Sequence, residues 1–175
     1  MKCELIKAPS LDDLLLCKRC IWITDRSKRG KVPFSPPSED LLRKILRARH
    51  SPIRVLNFAF LFTDIPSNVS VHLCRHVHAQ PFVSSLRNDR QDEMDGDKAP
   101  RDTPVDMIYY VNAEELQIIA NKRLCAKASA KTREAVRMMC DEAIKAMPEL
   151  EEMLVPLCEY RNGTCGEINS CGRWY

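Results

Sequence analysis

Positions 75 to 90 read Arg75-His76-Val77-His78-Ala79-Gln80-Pro81-Phe82-Val83-Ser84-Ser85-Leu86-Arg87-Asn88-Asp89-Arg90. Three arginines, two histidines and two serines fall within these sixteen residues. A guanidinium is a planar fork of donors that matches a phosphate or the carbonyl edge of a base. A serine hydroxyl gives a short, directional bond to the same groups. Composition leaves two readings open here, an anion site or a polar loop with surface arginines.

Cysteine is the second chemical signal. There are nine, an odd number, so they cannot all pair within one chain. Cys17-Lys18-Arg19-Cys20 has the spacing of a metal knuckle or redox pair. Cys158, Cys165 and Cys171 lie in a turn-rich setting that suits zinc ligands, and Cys17 or Cys20 is the candidate fourth thiolate. Disulfide or redox chemistry and free thiols stand beside that reading. Asn68-Val69-Ser70 and Asn162-Gly163-Thr164 match glycosylation acceptors, with no secretion signal to support their use. Asp89, Asp92, Glu93, Asp95 and Asp97 read as a solvated acidic stretch, because the glycine and final glutamate of a calcium loop are out of place.

The elements that must carry these residues can be read from periodicity. Residues 1–7 form a strand. Ser10 with Asp13 starts a helix over 11–20, and the apolar run 21–24 begins a second strand. The basic, proline-rich segment 25–37 is a loop. Ser38 caps a helix with Glu39 and Asp40 in its first turn and Leu41, Leu42, Ile45 and Leu46 on its apolar stripe. It ends at His50-Ser51-Pro52. Leu56, Phe58, Phe60 and Phe62 share one face of a strand, and Ala59 and Leu61 cover the other, which places it centrally in a sheet. Asp64-Ile65-Pro66 breaks that strand.

Pro66 opens a helix to about His76, which feeds a loop running to Arg90. Residues 88–104 are a polar loop or flap, and 107–111 a strand. Asn112 with Glu115 makes a capping box for a helix over 113–122. Val136, Met139, Cys140, Ala143, Ile144 and Met147 show the core spacing of a further helix that Pro148 ends. The fold class is α/β, with a mixed, largely antiparallel sheet and packed helices. No GxGxxG or GxxxxGKS sequence occurs, so a bound nucleotide is held by other means.

The segment from Arg75 resembles the signature R-H-R-x-x-S-x-N-E-x-S-x-R of the flavin-dependent thymidylate synthases. Arg75 and His76 match its opening pair, Ser85 its second serine and Arg87 its closing arginine. Val77, Gln80, Phe82 and Val83 stand where the family has arginine, serine, asparagine and glutamate. Upstream, Arg49-His50-Ser51-Pro52-Ile53 resembles the family's G-H-x-x-P-F turn. Downstream, Tyr110-Val111-Asn112-Ala113-Glu114 and then Lys122-Arg123 resemble its V-N-x-R stretch and L-R pair. The resemblance spans about 41–90 and 107–147.

That resemblance implies reductive methylation of dUMP to dTMP, with methylenetetrahydrofolate giving the carbon and NADPH the reducing power through FAD. It implies a homotetramer with flavins at subunit interfaces. On this likeness His50, Arg75, His76, His78 and Asn112 are the cofactor-binding residues. Ser85, Arg87 and Arg101 bind the substrate, and Arg123 is the catalytic cation at the pyrimidine edge. His78, whose charge depends on pH, partly replaces the arginine lost at Val77. The interval from Arg87 to Asn112 is much shorter than in the family, leaving Arg101 as the nearest candidate for the substrate phosphate. A noncatalytic FAD- or nucleotide-binding homologue and a zinc-stapled interaction domain are the alternatives.

Length and composition frame these readings. The 175 residues suffice for one core, read as a domain over 1–157 with a cysteine-rich tail over 158–175. A formal charge of +3 gives no case for nucleic acid. No apolar run approaches the roughly 20 residues of a membrane span, and no secretory leader opens the chain. A cytoplasmic location is the default expectation.

Overall fold

The computed structural model describes residues 1–91 and 94–173. Asp92 and Glu93 of the acidic stretch lie outside the described residues. Four antiparallel strands form one sheet in the order β1-β2-β4-β3. They are β1 (Lys2–Lys7), β2 (Asn57–Pro66), β3 (Ala79–Val83) and β4 (Pro104–Asn112). Among the described residues six α-helices accompany them: α1 (Leu11–Thr24), α2 (Glu39–Arg47), α3 (Ser67–Cys74), α4 (Ala113–Arg123), α5 (Ala130–Ala146) and the single turn α6 (Leu157–Tyr160). The expected α/β class, with an antiparallel sheet and packed helices, is the one observed.

Alternation along β2 and β4 separates the two faces of the sheet. Phe58, Phe60 and Phe62 of β2 and Met107, Tyr109 and Val111 of β4 are buried, and α3, α4 and α5 pack against the sheet. On the opposite face Leu61, Ile108 and Phe82 stand in register across β2, β4 and β3. Ile108 is 41% and Phe82 62% exposed, so this row is open among the described residues.

Four sequence expectations are corrected. Residues 21–24 continue α1 and do not begin a strand. Leu14, Cys17 and Ile21 recur at helical spacing and contact the core, so packing overrides the β-branched composition. The segment at Asp64 kinks β2 without ending it: the register shifts between Phe62 and Ile65. Asp64 takes φ 55° there, a left-handed conformation that aspartate tolerates better than branched residues. Its N–H donates to Asp106 Oδ1 at 3.0 Å. The stretch after His76 contains strand β3, where a loop was expected. Pro81 fits because β3 is an edge strand, where a missing N–H need not face a neighbour. Finally, Pro66 sits at the N-cap of α3, and the helix stops at Cys74.

The turn after α2 contributes Arg49, at φ 47°. Its guanidinium donates to the buried side chains of Gln117, at 3.2 Å, and Asn121, and lies 4.4 Å from the Tyr160 ring centroid. Asn121 Nδ2 also donates to the Val155 carbonyl at 2.6 Å. These bonds fix the core face of α4 between α2 and α6, and α4 is the element that aims the site residues.

Candidate functional site

The polar cluster is built where the end of α3 meets both ends of α4. Asn112 caps α4, its Oδ1 accepting from the Glu115 N–H at 3.0 Å. Only this half of the expected capping box forms. The Glu115 side chain turns to His76, with Oε1 3.0 Å from Nδ1. Glu115 is 4% exposed, and its place in the first turn of a helix favours a negative charge. Eight residues on, about 12 Å along the axis, Arg123 ends the same helix. Its Nε donates to His76 Nε2 at 3.1 Å and its Nη2 to the His72 carbonyl at 3.1 Å. The imidazole thus bridges the acid at one end of α4 to the cation at the other.

These contacts fix the state of the ring. A guanidinium cannot accept a hydrogen bond, so Nε2 must carry the lone pair. Nδ1 then holds the proton and donates to Glu115. His76 is neutral in this arrangement. Burial holds its pKa below the ordinary 6.5, and Arg123 adds to that, against the upward pull of Glu115. Next to it, Tyr109 is fully buried and donates its hydroxyl to the Leu73 carbonyl at 3.1 Å. Burial is the main cause of its strongly raised pKa.

Outward from His76 and Arg123 opens a cavity of about 290 Å³, lined also by Lys122, Cys125, Lys127 and Glu167. Three cations face one carboxylate, so the lining suits an anion. A cavity of about 570 Å³ lies elsewhere, between the end of α1 and residues 25–33, with Trp22, Val32 and Pro33 in its wall. It holds none of the signature residues, and its wall also carries Cys20, Asp25 and Lys28.

Of the residues read from the sequence, His76 and Arg123 come together at the cavity, and Asn112 reaches them through the cap it gives Glu115. Arg75 and His78 are exposed beside His76 on the α3–β3 turn. His50 is exposed at the start of a 3-10 turn, Ser51–Val55, and Arg49 from the same turn points inward in its place. Ser85 and Arg87 follow β3 in exposed chain, with Arg87 paired to Asp89 at 2.8 Å. Arg101 is exposed in the loop before β4, and its carbonyl accepts from the Asn68 N–H at 2.9 Å.

The cysteine reading is corrected in one member. Cys158, Cys165 and Cys171 line one small cavity together with Cys125, not with Cys17 or Cys20. Cys17 is buried on α1, and that burial pushes its thiol up to about 11. As the side chains stand, no group of three or more His, Cys, Asp or Glu among the described residues is arranged to hold a metal ion. Cys74, the last residue of α3, is exposed.

Sequence reasoning missed the second role of Glu115 and the parts played by Lys122, Lys127 and Cys125. Glu115 and His76 are 39 positions apart, so no local pattern links them. Lys122 and Lys127 could have been found as cations flanking Arg123.

No protein-family model and no curated protein matches the chain. Solved structures do match. One is flavin-dependent thymidylate synthase ThyX from Helicobacter pylori complexed with FAD and dUMP, with TM-score 0.69, 16% identity and coverage of 89% of this chain and 100% of that one. A second structure of Helicobacter pylori ThyX with FAD and dUMP gives TM-score 0.68 at 15% identity, covering 88% and 97%. A UMP/dUMP methylase, PolB from Streptomyces cacaoi, bound with 5-Br dUMP gives 0.65 at 15% identity, covering 88% and 96%. At such identities the likeness establishes a shared fold: this chain has the α/β fold of the ThyX proteins over nearly its whole length.

Proposed function

We propose that the chain is a flavin-dependent nucleotide-modifying protein that methylates dUMP or a closely related pyrimidine nucleotide, using FAD, methylenetetrahydrofolate and NADPH. The observation that carries this reading is the contact of Arg123 with His76 at the mouth of a cationic cavity. The shared fold with proteins solved with dUMP or 5-Br dUMP supports it.

At about 290 Å³ the cavity is at the lower end of ligand pockets, which run to about 1,000 Å³. That suits a mononucleotide and not a dinucleotide such as FAD. FAD therefore needs surface from a second copy, and the exposed Arg75, His78 and His50 are the side chains available to hold it. Bound FAD would supply the redox chemistry. Lys122 and Lys127 draw the phosphate in. Arg123 faces negative charge developing on the pyrimidine, and the neutral His76 holds it in that orientation. A preset cation avoids reorganisation when the charge forms. Ser85, Arg87 and Arg101 remain candidate substrate contacts; Arg87 must first release Asp89.

The test is the visible spectrum of the purified protein, followed by addition of dUMP, folate and NADPH. A yellow protein that forms dTMP supports the reading. Colourless protein that takes up neither FAD nor dUMP overturns it. A second reading, a noncatalytic FAD or nucleotide binder, is favoured by Val77, 84% exposed where the family has an arginine. Bound flavin without turnover would select it.

A further inference from the structure

Four of the nine cysteines line one small cavity beside the nucleotide site, and Cys125 is common to both. Cys125 lies two residues beyond α4, Cys158 lies in α6, and Cys165 and Cys171 follow in the chain after α6. Together they line a cavity of about 20 Å³, room for one water-sized occupant. Two of the four are on well-anchored segments. Asn121 ties α4 to the Val155 carbonyl at 2.6 Å, and the Tyr160 hydroxyl donates to the Arg47 carbonyl at 2.5 Å.

The other two lie in a stretch whose far end is held by an ion pair from Arg173 to Glu159. Residues 161–173 include no buried residue. From Cys165 to Gly172, the one hydrogen bond among the described residues is from the Gly172 N–H to Ser170 Oγ, at 3.1 Å. Apolar burial therefore cannot be what orders this stretch, and small segments of this kind are commonly stapled by a disulfide or a metal. A set of four thiols around one point suits the metal, because four thiolates complete the tetrahedral shell of a structural zinc ion.

We propose that Cys125, Cys158, Cys165 and Cys171 are the ligands of a structural zinc ion that fastens residues 158–173 to the end of α4. Binding draws the two exposed-chain thiols inward onto Cys125 and Cys158, since the side chains are not yet gathered into a metal site. Each thiol gives its proton to solvent as its S–Zn bond forms, with no change of oxidation state. The clasp reaches the nucleotide site as well, because Cys125 and Glu167 line both cavities. Zinc then fixes one wall of the Arg123 cavity. Of the remaining cysteines, Cys17 and Cys140 are buried, and Cys3, Cys20 and Cys74 do not line this cavity.

The test uses the full chain, purified without chelator and refolded in the presence of zinc. Metal analysis after gel filtration is expected to find about one zinc per chain. Iodoacetamide labelling read by peptide mass spectrometry is expected to show Cys125, Cys158, Cys165 and Cys171 protected by zinc and released by chelator, while Cys74 reacts in both states. Cobalt in place of zinc is expected to give thiolate-to-metal absorption. Cys125→Ser is expected to lose the zinc and Cys20→Ser to keep it. Should Cys125→Ser fail to fold, the wild-type labelling pattern decides. Absence of retained zinc, disulfides among the four cysteines, or a protected set containing Cys20 in place of Cys125 would each overturn the proposal.

Discussion

Glu115 is the residue on which the geometry around Arg123 turns. Its carboxylate accepts the His76 proton in a buried setting, and the imidazole in turn accepts from Arg123. Glu115→Ala leaves Nδ1–H buried without its partner. The expected loss is about 1–3 kcal/mol in urea unfolding, with weaker binding of dUMP because Arg123 loses its support. Glu115→Gln keeps an acceptor oxygen and is expected to recover most of the stability. If Glu115→Ala and wild type unfold alike, the chain of contacts carries no energy. His76 adds a pH dependence. Its folded pKa lies below the ordinary 6.5, so the unfolded chain takes up the proton at higher pH than the folded one. Stability from the neutral ring is full above about pH 6.5 and declines as pH falls below that value toward the lower folded pKa. Protonation would also set an N–H against the Arg123 donor. Melting temperature against pH is expected to fall more steeply on the acid side for wild type than for His76→Asn.

At the level of elements, α4 depends on its cap. Asn112→Ala removes the side-chain acceptor for the Glu115 N–H, at an expected cost of about 1 kcal/mol, measurable by denaturant unfolding. Asn112→Asp, which keeps the acceptor, is expected to be near neutral; equal losses for both would assign Asn112 a role other than capping. Such local chemistry explains what the sequence made legible. Ser10, Ser38 and Asn112 mark helix starts by the oxygen they offer. The phenylalanines at 58, 60 and 62 mark a buried strand face by alternation. The end of α1 and strand β3 were not legible, because tertiary neighbours decide them: Ile21 stays helical by packing on the core, and Pro81 is tolerated because its strand is an edge. The site divides the same way. His76 and Arg123 could be picked out from a motif and its spacing. Their direct contact, the burial of Glu115 beneath them and the meeting of Cys125 with Cys158 all join positions more than 30 apart.

Over the whole molecule, the sheet has one covered and one open face, and antiparallel sheets tolerate an open face when it is polar. Here it is not. Leu61, Ile108 and Phe82 make an apolar row across three strands, and Glu4, opposite Leu61, gives it a charged edge on β1. Phe82 stands where the family signature has asparagine, so one polar position has become apolar in this row; Val83, where the signature has glutamate, pairs with Met107 on the other face. We propose a second copy of the chain as the cover, in keeping with the homotetramer that the family resemblance implies. The cavity at Arg123 is too small for FAD alone, so assembly and flavin uptake are coupled in this reading. Phe82→Asp places a carboxylate at the β3 end of the row, 62% exposed in the single chain and therefore of little consequence for monomer stability. The variant is expected to keep its helical and strand circular dichroism, shift toward monomer in analytical ultracentrifugation and lose flavin. A variant that remains as associated as wild type would remove this face from the interface. One that becomes monomeric yet retains flavin would place the cofactor within a single chain, separating the two parts of the reading.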